Sequence, residues 1–374
     1  MMMFLWVALP ILCMVGVAVY FYRKWSGAIA CFLPNWPKKR RRILSVILAA
    51  LLILPAFRIY DSWFIILLHF TVFLLVVDGV AWVVRKIRKN KELSPLWNKI
   101  YRSGVIAMIL TALLCGYGHY NIYQVVQTDY TVTTQKEIRP EGYRLVLLSD
   151  LHYGISLDGE ELQTVVDRIN ETQPDAVILD GDLVDESTTL EGMQEAFRVL
   201  EHLQSTYGTY YVYGNHDQNN YASAPNYTRE QLAATIRENG ITILEDESVT
   251  LGSDLTLIGR ADRGDSTFQR AEISELTESL DPDQEWILLD HQPADYEKAQ
   301  QAGCDMILSG HTHAGQIWPA GLFATLFHFD ELNYGEKDVG NLHAIVTSGI
   351  AGWGYPMRTE RHSEYVVIQL VPNS

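Results

Sequence analysis

The chain has 374 residues, room for two domains at roughly 100–200 residues each. Up to Val125 it carries 15 Lys/Arg against 3 Asp/Glu, a net of +12; the remainder carries 14 against 42, a net of −28, and together they give the formal −16. Such a split argues against one uniform soluble domain. The acidic part has no basic stripe, which argues against nucleic acid as a partner.

The basic third holds four apolar runs. Met3–Tyr22 has no charge, Ile43–Phe57 is shorter and contains Pro55, Trp63–Val84 is interrupted by His69 and Asp78, and Ser103–Tyr120 carries His119 near its end. They are apolar all round rather than along one stripe, and read as four transmembrane helices. Arg23 and Lys24 follow the first run instead of preceding it, so it reads as an uncleaved span rather than a signal peptide. Basic residues gather between spans one and two (Lys38–Arg42) and between spans three and four (Arg85, Lys86, Arg88, Lys89, Lys91, Lys99, Arg102), while Arg58 alone lies between spans two and three. The positive-inside rule then puts both basic loops in the cytoplasm and everything after Tyr120 outside it. Asp78 and His69 are costly in lipid and so are functional candidates, though the sequence shows no partner for either. Cys304 is alone in the acidic part, so no disulfide forms there.

Residues 121–142 read as a linker that starts with a strand. From Tyr143 short apolar runs alternate with helical spacings. "YRLVLLSD", "PDAVILDGD", "GTYYVYGNHD", "EWILLDHQP" and "CDMILSGHTH" are strands, and helices are expected near 159–172, 190–206, 228–239 and 294–302. This is an α/β pattern with buried strands. Each of the five runs stops at polar residues: Asp150-Leu-His152, Gly181-Asp182-x-x-Asp185, Gly214-Asn215-His216-Asp217, Asp290-His291 and Gly310-His311-Thr-His313. In α/β sheets ligands bind beyond the carboxyl ends of strands, so five strands deliver these side chains to one edge.

Each motif alone is commonplace, since a lone GNHD is more often a turn than a site. Together they offer carboxylate, imidazole and amide donors without thiolates, a set suited to Mn, Fe or Zn. Asp150, His152, Asp182, Asn215, His291, His311 and His313 are too many ligands for one ion. Two ions sharing a carboxylate would use them and leave positions open, as in phosphoryl-transfer sites.

In this order the blocks DxH, GDxxD, GNHD, H and GHxH resemble the calcineurin-like metallophosphoesterase superfamily over roughly Tyr143–Leu370. "GHTHAGQ" with "SGIAGWGYPMR" looks like its membrane-anchored or secreted bacterial branch, which usually reads GHTHGGQ; here Ala314 replaces a glycine. The resemblance implies a four-layer sandwich, two mixed β-sheets face to face with helices outside, over residues 143–374, after a four-helix transmembrane region at 1–120. It implies that Asp150, His152 and His313 hold one metal, Asn215, His291 and His311 the other, and Asp182 bridges, with a metal-bridging hydroxide attacking phosphorus. His216 would then serve the leaving oxygen, with Asp185 orienting it, while Asp217 supports the loop.

The implied activity is hydrolysis of a phosphomonoester, phosphodiester or pyrophosphate, with a lipid-linked or envelope-derived substrate suggested by the spans. A non-catalytic membrane receptor keeping the metal-binding fold is the alternative. Arg260, Arg263 and Arg358 are candidates to hold phosphate, weighed against ordinary pairing with neighbouring acids. The apolar insertion Trp318–Gly340, which contains His328, is either packed on the domain or a lid or lipid-facing lip.

Overall fold

The computed structural model describes residues 2–58, 61–88, 94–219, 221–265 and 268–373, with side chains described from residue 14 onward. It divides into two compact units, Met1–Tyr117 and Gly118–Ser374.

The first unit holds α1 (Met2–Phe32), α2 (Lys38–Ile53), α3 (Ser62–Ile87), α4 (Pro95–Ser103) and most of α5 (Val105–Ile122). Among the described residues, α3 and α5 are long and apolar enough to cross a bilayer. The first expected span falls in α1, whose side chains up to Cys13 lie outside the described residues. The second falls in α2, which begins inside the basic run at Lys38 and passes into a 3-10 turn at Leu54–Phe57. Its α-helical part is about 24 Å long, short of a roughly 30 Å hydrocarbon core. Lys89 and Lys91 of the second basic loop also lie outside the described residues. Asp78 does have partners. Tyr20 donates its hydroxyl to it at 2.7 Å, and Lys24 pairs with it while lying 4.6 Å from the Tyr101 ring centroid. These partners stabilise a charge that would otherwise be costly in an apolar bundle.

The second unit contains β1 (Val125–Thr133), β2 (Tyr143–Leu148), β3 (Ala176–Asp180), β4 (Thr209–Val212), β5 (Thr242–Ile243), β6 (Glu247–Leu251), β7 (Leu255–Gly259), β8 (Glu285–Leu289), β9 (Met306–Ser309), β10 (Gly335–Val339), β11 (Leu342–Val346) and β12 (Ser363–Val371). They form two mixed sheets, ordered β1-β12-β2-β3-β4-β5 and β10-β11-β9-β8-β7-β6. In the first, β2, β3, β4 and β5 run parallel; in the second, β7, β8, β9 and β11 do. The stretch expected as a linker opens with β1, which pairs with β12 from Val125↔Ser363 to Thr133↔Val371.

Side-chain alternation explains the layering, because successive residues of a strand face opposite sides. Leu145, Leu147 and Ile178 of one sheet meet Leu257, Ile287, Leu289 and Leu308 of the other in a dry layer between them. The intervening Val146, Leu148, Val177 and Leu179 face outward to α6 (Gly159–Glu171), α7 (Leu190–Leu200) and α8 (Arg229–Glu238). Ile258, Leu288 and Ile307 face α9 (Ile273–Thr277) and α10 (Tyr296–Gln301). Helix, sheet, sheet, helix is the four-layer sandwich expected. α6 shows why such helices start where they do. Asp158 caps Glu160 and Glu161 and completes a capping box, and Leu162, Val165, Val166 and Ile169 then recur on one buried face.

The inter-sheet layer sets the spacing of the strand ends, so a cavity there should be costly. Leu257→Ala should destabilise the fold by about 2–5 kcal/mol, read as a lowered denaturant midpoint. An unchanged midpoint would show that this layer does not carry the fold.

Candidate metal centre

All five motif blocks lie just past strand ends. Asp150 follows β2, Asp182 follows β3, Asn215 follows β4, His291 follows β8 and His311 follows β9. The strands are parallel within their sheets, so these ends share one edge of the sandwich.

Two compact clusters result, Asp150–His152–His313 and Asp182–His291–His311, with the ligand atoms of each within 4.8 Å of one another. In the first, His152 Nε2 lies 3.3 Å from His313 Nε2, and His313 Nε2 lies 3.4 Å from Asp150 Oδ1. In the second, Asp182 Oδ2 lies 3.0 Å from His291 Nε2. The same oxygen lies 3.9 Å from His152 Nε2, so Asp182 stands between the clusters. Its other oxygen is occupied by the His216 backbone N–H at 2.8 Å. Asn215, the neighbour of His216, accepts Gln292 Nε2 at 3.3 Å.

The backbone accepts strain to aim these side chains. Asp150 (φ 56°), His152 (40°), Asp182 (52°), His311 (70°) and His313 (50°) are all left-handed. Asp and His tolerate this region better than most residues, yet each position costs of order 1–3 kcal/mol. Cross-links hold them: Asp150 N donates to Gly181 O and His152 N to Asp182 O, both at 3.0 Å, and His311 N donates to Asp150 Oδ2 at 3.0 Å. Asp217 supports the loop as expected, accepting from Asp182 N, Leu183 N, Val184 N and Gly214 N at 2.7–3.2 Å. Gly310 serves close approach. A Cβ there would lie 2.5 Å from Asp150 Oδ2 and closer still to Ser149 Oγ.

The donor set fits divalent cations. His291 Nδ1 meets the Asp180 carbonyl at 2.6 Å, which turns Nε2 toward Asp182 Oδ2. Burial, helped by the charge of His291, pushes His311 down to about 4. Burial, helped by His152 and Arg358, pushes His313 well below the ordinary imidazole range. Both rings are therefore neutral at pH 7, with lone pairs available. Burial opposes charge on His291 too, but Asp182, Asp150 and Asp180 outweigh it and raise that ring well above its usual value.

Three sequence expectations need correction. Asp185 does not orient His216. Its carboxylate accepts from Ser187 N at 2.8 Å and Ser187 Oγ at 2.6 Å, and its other oxygen lies 3.3 Å from His152 Nδ1. Glu186, which no motif marks, holds His216 Nδ1 with both oxygens at 3.0 Å. Arg260 is not exposed to substrate. It is buried and paired with Asp290 at 3.1 Å and Asp295 at 3.0 Å. Arg358 is fully buried and donates to the carbonyls of His313 (2.8 Å), Ser348 (2.9 Å) and Ala351. Burial lowers its guanidinium to about 10, still charged at pH 7. Arg358 thus fastens the His313 loop from beneath. Arg263 is exposed and lines a cavity of about 590 Å³ beside His311, together with His328, Phe329 and Lys337. Sequence reasoning also missed Tyr221 and Trp353, whose rings each sit 5.1 Å from that of His216. Tyr221 lies in no motif, and Trp353 lies in the "SGIAGWGYPMR" stretch, whose place beside His216 only the fold reveals.

The pairing of "GHTHAGQ" with the later "WGYPMR" stretch also becomes intelligible. Gln316 donates through Nε2 to the carbonyls of Trp353, Tyr355 and Met357 and accepts from Trp353 N. Thr312 does more than separate two histidines, because its hydroxyl donates to Asn333 O at 2.6 Å.

The calcineurin-like phosphoesterase family profile matches residues 143–315. The chain is 30% identical over 190 residues to the uncharacterized metallophosphoesterase YkoQ of Bacillus subtilis, covering 50% of this chain and 67% of that one. The chain belongs to the calcineurin-like metallophosphoesterase family. It is also 33% identical over 235 residues to an uncharacterized metallophosphoesterase of Helicobacter pylori, covering 62% of this chain and 60% of that one. A transmembrane protein with metallophosphoesterase domain from Danio rerio is 31% identical over 288 residues, covering 72% and 63%. The matched stretch thus spans about three-fifths of the length of these last two relatives. Family membership and the two ligand clusters support a binuclear divalent metal centre.

Ala314 is where this chain departs from the GHTHGGQ pattern, and its backbone is left-handed (φ 50°, ψ 29°). Ala314→Val should lower stability by roughly 1–3 kcal/mol, because a β-branched side chain is strained there. Ala314→Gly should stay within about 1 kcal/mol of the parent, since relieved strain is offset by greater freedom of the unfolded chain. Denaturant unfolding separates the two; a valine variant as stable as the parent would contradict the geometry.

Proposed function

We propose that this chain is a membrane-tethered, binuclear metal-dependent phosphohydrolase. The observation that carries the reading is Asp182, one carboxylate oxygen of which faces both ligand clusters. Asp150, His152 and His313 would hold one ion, Asn215, His291 and His311 the second, and Asp182 both. Two bound divalent cations supply neutralisation of phosphoryl charge and acidify water at the site. The identity of the pair, Mn, Fe or Zn, is open to the donors present.

The remaining work falls to the chain's own side chains. Glu186 engages His216 Nδ1 and so turns Nε2 away from the carboxylate, the orientation in which the ring can protonate a leaving oxygen. Arg263 is placed to attract a phosphate in the cavity beside His311. Asp185 steadies His152 instead of taking part at the leaving group. Helices α3 and α5, together with a relative named as a transmembrane protein, support association with a bilayer. The basic residues between α3 and α5 (Arg85, Lys86, Arg88, Lys99 and Arg102) favour an extracytoplasmic second unit, where a lipid-linked or envelope phosphoester or pyrophosphate is the substrate class we propose.

The full chain in detergent, supplied with Mn, should hydrolyse p-nitrophenyl phosphate or bis(p-nitrophenyl) phosphate, and a chelator should abolish turnover. Asn215→Ala should lose metal and turnover together. His216→Ala should lose about 10²–10⁴-fold in turnover with metal content kept. Metal-loaded protein inert toward both esters would favour the receptor reading.

The pH profile tests Glu186 separately. Burial depresses His216, but Glu186 and Asp182 outweigh it and raise its pKa. Removing the Glu186 charge should lower that pKa, so the protonated ring is lost at lower pH. Glu186→Gln should therefore shift the alkaline limb of kcat/KM toward acid, and an unmoved limb would remove His216 from the proton-donor role.

A further inference from the structure

The insertion after the double-histidine loop carries an apolar surface that the metal centre does not use. Residues 318–329 contain no Asp, Glu, Lys or Arg. They form α11 (Ala320–Phe327) and its exit through His328 in a left-handed turn. Leu322, Phe323, Leu326, Phe327, Phe329 and Trp318 are exposed, with Leu326 at 63%, Phe327 at 60% and Phe329 at 70%. Phe323, Phe327 and Phe329 stack in a row at centroid distances of 6.1 and 6.0 Å. A run of exposed aromatic and aliphatic side chains of this kind marks an interaction surface.

Its attachment says which surface it meets. Trp318 N donates to Thr359 Oγ1 and Gly321 N to Glu360 Oε2, both at 2.9 Å. The adjacent Arg358 N donates to Gly118 O at 2.9 Å, and Asn121 Nδ2 donates to Arg358 O at 3.1 Å. Gly118 and Asn121 lie in the last turns of α5, one of the two helices apolar enough to cross a bilayer. Three consecutive residues, Arg358 to Glu360, thus hold both the end of that helix and the start of α11. An apolar surface held beside the end of a helix long and apolar enough to cross a bilayer suits the bilayer interface. Phe329, at the far end of the row, lines the cavity that reaches His311.

We propose that α11 and Phe329 insert into the bilayer interface and form the entry through which a phosphoester anchored in the membrane reaches the centre at His311. The entry step rests on the phosphohydrolase reading; the bilayer contact does not, and the two are read separately.

The full chain is reconstituted in vesicles of phosphatidylcholine and phosphatidylglycerol with benzoylphenylalanine at Phe323 or Phe327. Lipid adducts after illumination are counted against Leu113 of α5 and Glu278, an exposed position beyond α9. Phe323 and Phe327 should give yields comparable to Leu113 and far above Glu278. Adducts at Leu113 alone, or cross-links at 323 and 327 to a second copy of the chain instead of lipid, overturn the proposal. For entry, the probes are soluble bis(p-nitrophenyl) phosphate and p-nitrophenyl hexadecyl phosphate embedded in the same vesicles. The combined Leu322→Ser, Leu326→Ser, Phe327→Ser variant should keep the soluble rate and lose most of the embedded one. An unchanged ratio of the two rates, or a parent chain active only on the soluble ester, overturns the entry step. A parent inert toward both esters sinks the phosphohydrolase reading instead, while the lipid adducts still decide the bilayer contact.

Discussion

The candidate centre depends on one carboxylate. Asp182 is almost fully buried, yet its charge is favoured, because His291, His152 and His216 outweigh the cost of burial and hold it well below the ordinary carboxylate range. One oxygen is fixed by a backbone amide and the other faces two sets of imidazoles. Burying a charge this deeply is tolerable only with such partners around it. Everything nearby serves that arrangement: the left-handed turn at Asp182, the loop tied by Asp217, and Gly214, where a Cβ would lie 2.5 Å from Asp182 N.

The sandwich makes this possible by geometry. Parallel strands in each sheet end on one edge, and the apolar layer between the sheets brings those edges together. Asp150, His152, Asp182, Asn215 and His216 come from one sheet and His291, His311 and His313 from the other, so each candidate cluster draws on both sheets. Stability and site geometry are therefore linked through residues such as Leu257 that touch no ligand.

The strand ends were legible in the sequence because the signal is local: an apolar run stops and a polar residue follows. The same holds for the four-layer sandwich, once the motif order suggested it, and for Asp217 as a loop support. Choices between neighbouring side chains were not legible. Asp185 and Glu186 are adjacent, and the turn at Ser187 and Thr188 decides which of them faces His216. The choice between phosphate binding and pairing with acids was not legible at the arginines for a related reason. Arg260 and Arg358 are candidate phosphate ligands in one dimension, but Asp290 and Asp295, 30 and 35 positions from Arg260, and the His313 carbonyl, 45 positions from Arg358, draw both inward. Asp78 looked isolated because Lys24 is 54 positions distant.

The attachment of α5 has a mechanical side. Gly118 O accepts Arg358 N, and the side chain of that same arginine holds the carbonyl of His313. One residue therefore stands between the end of α5 and the loop of His313, with one hydrogen bond on each side of it. The last turn of α5 is thus part of the scaffold around His313. A soluble fragment begun at Tyr143 would remove this strut, and with it β1, leaving the long edge of β12 bare.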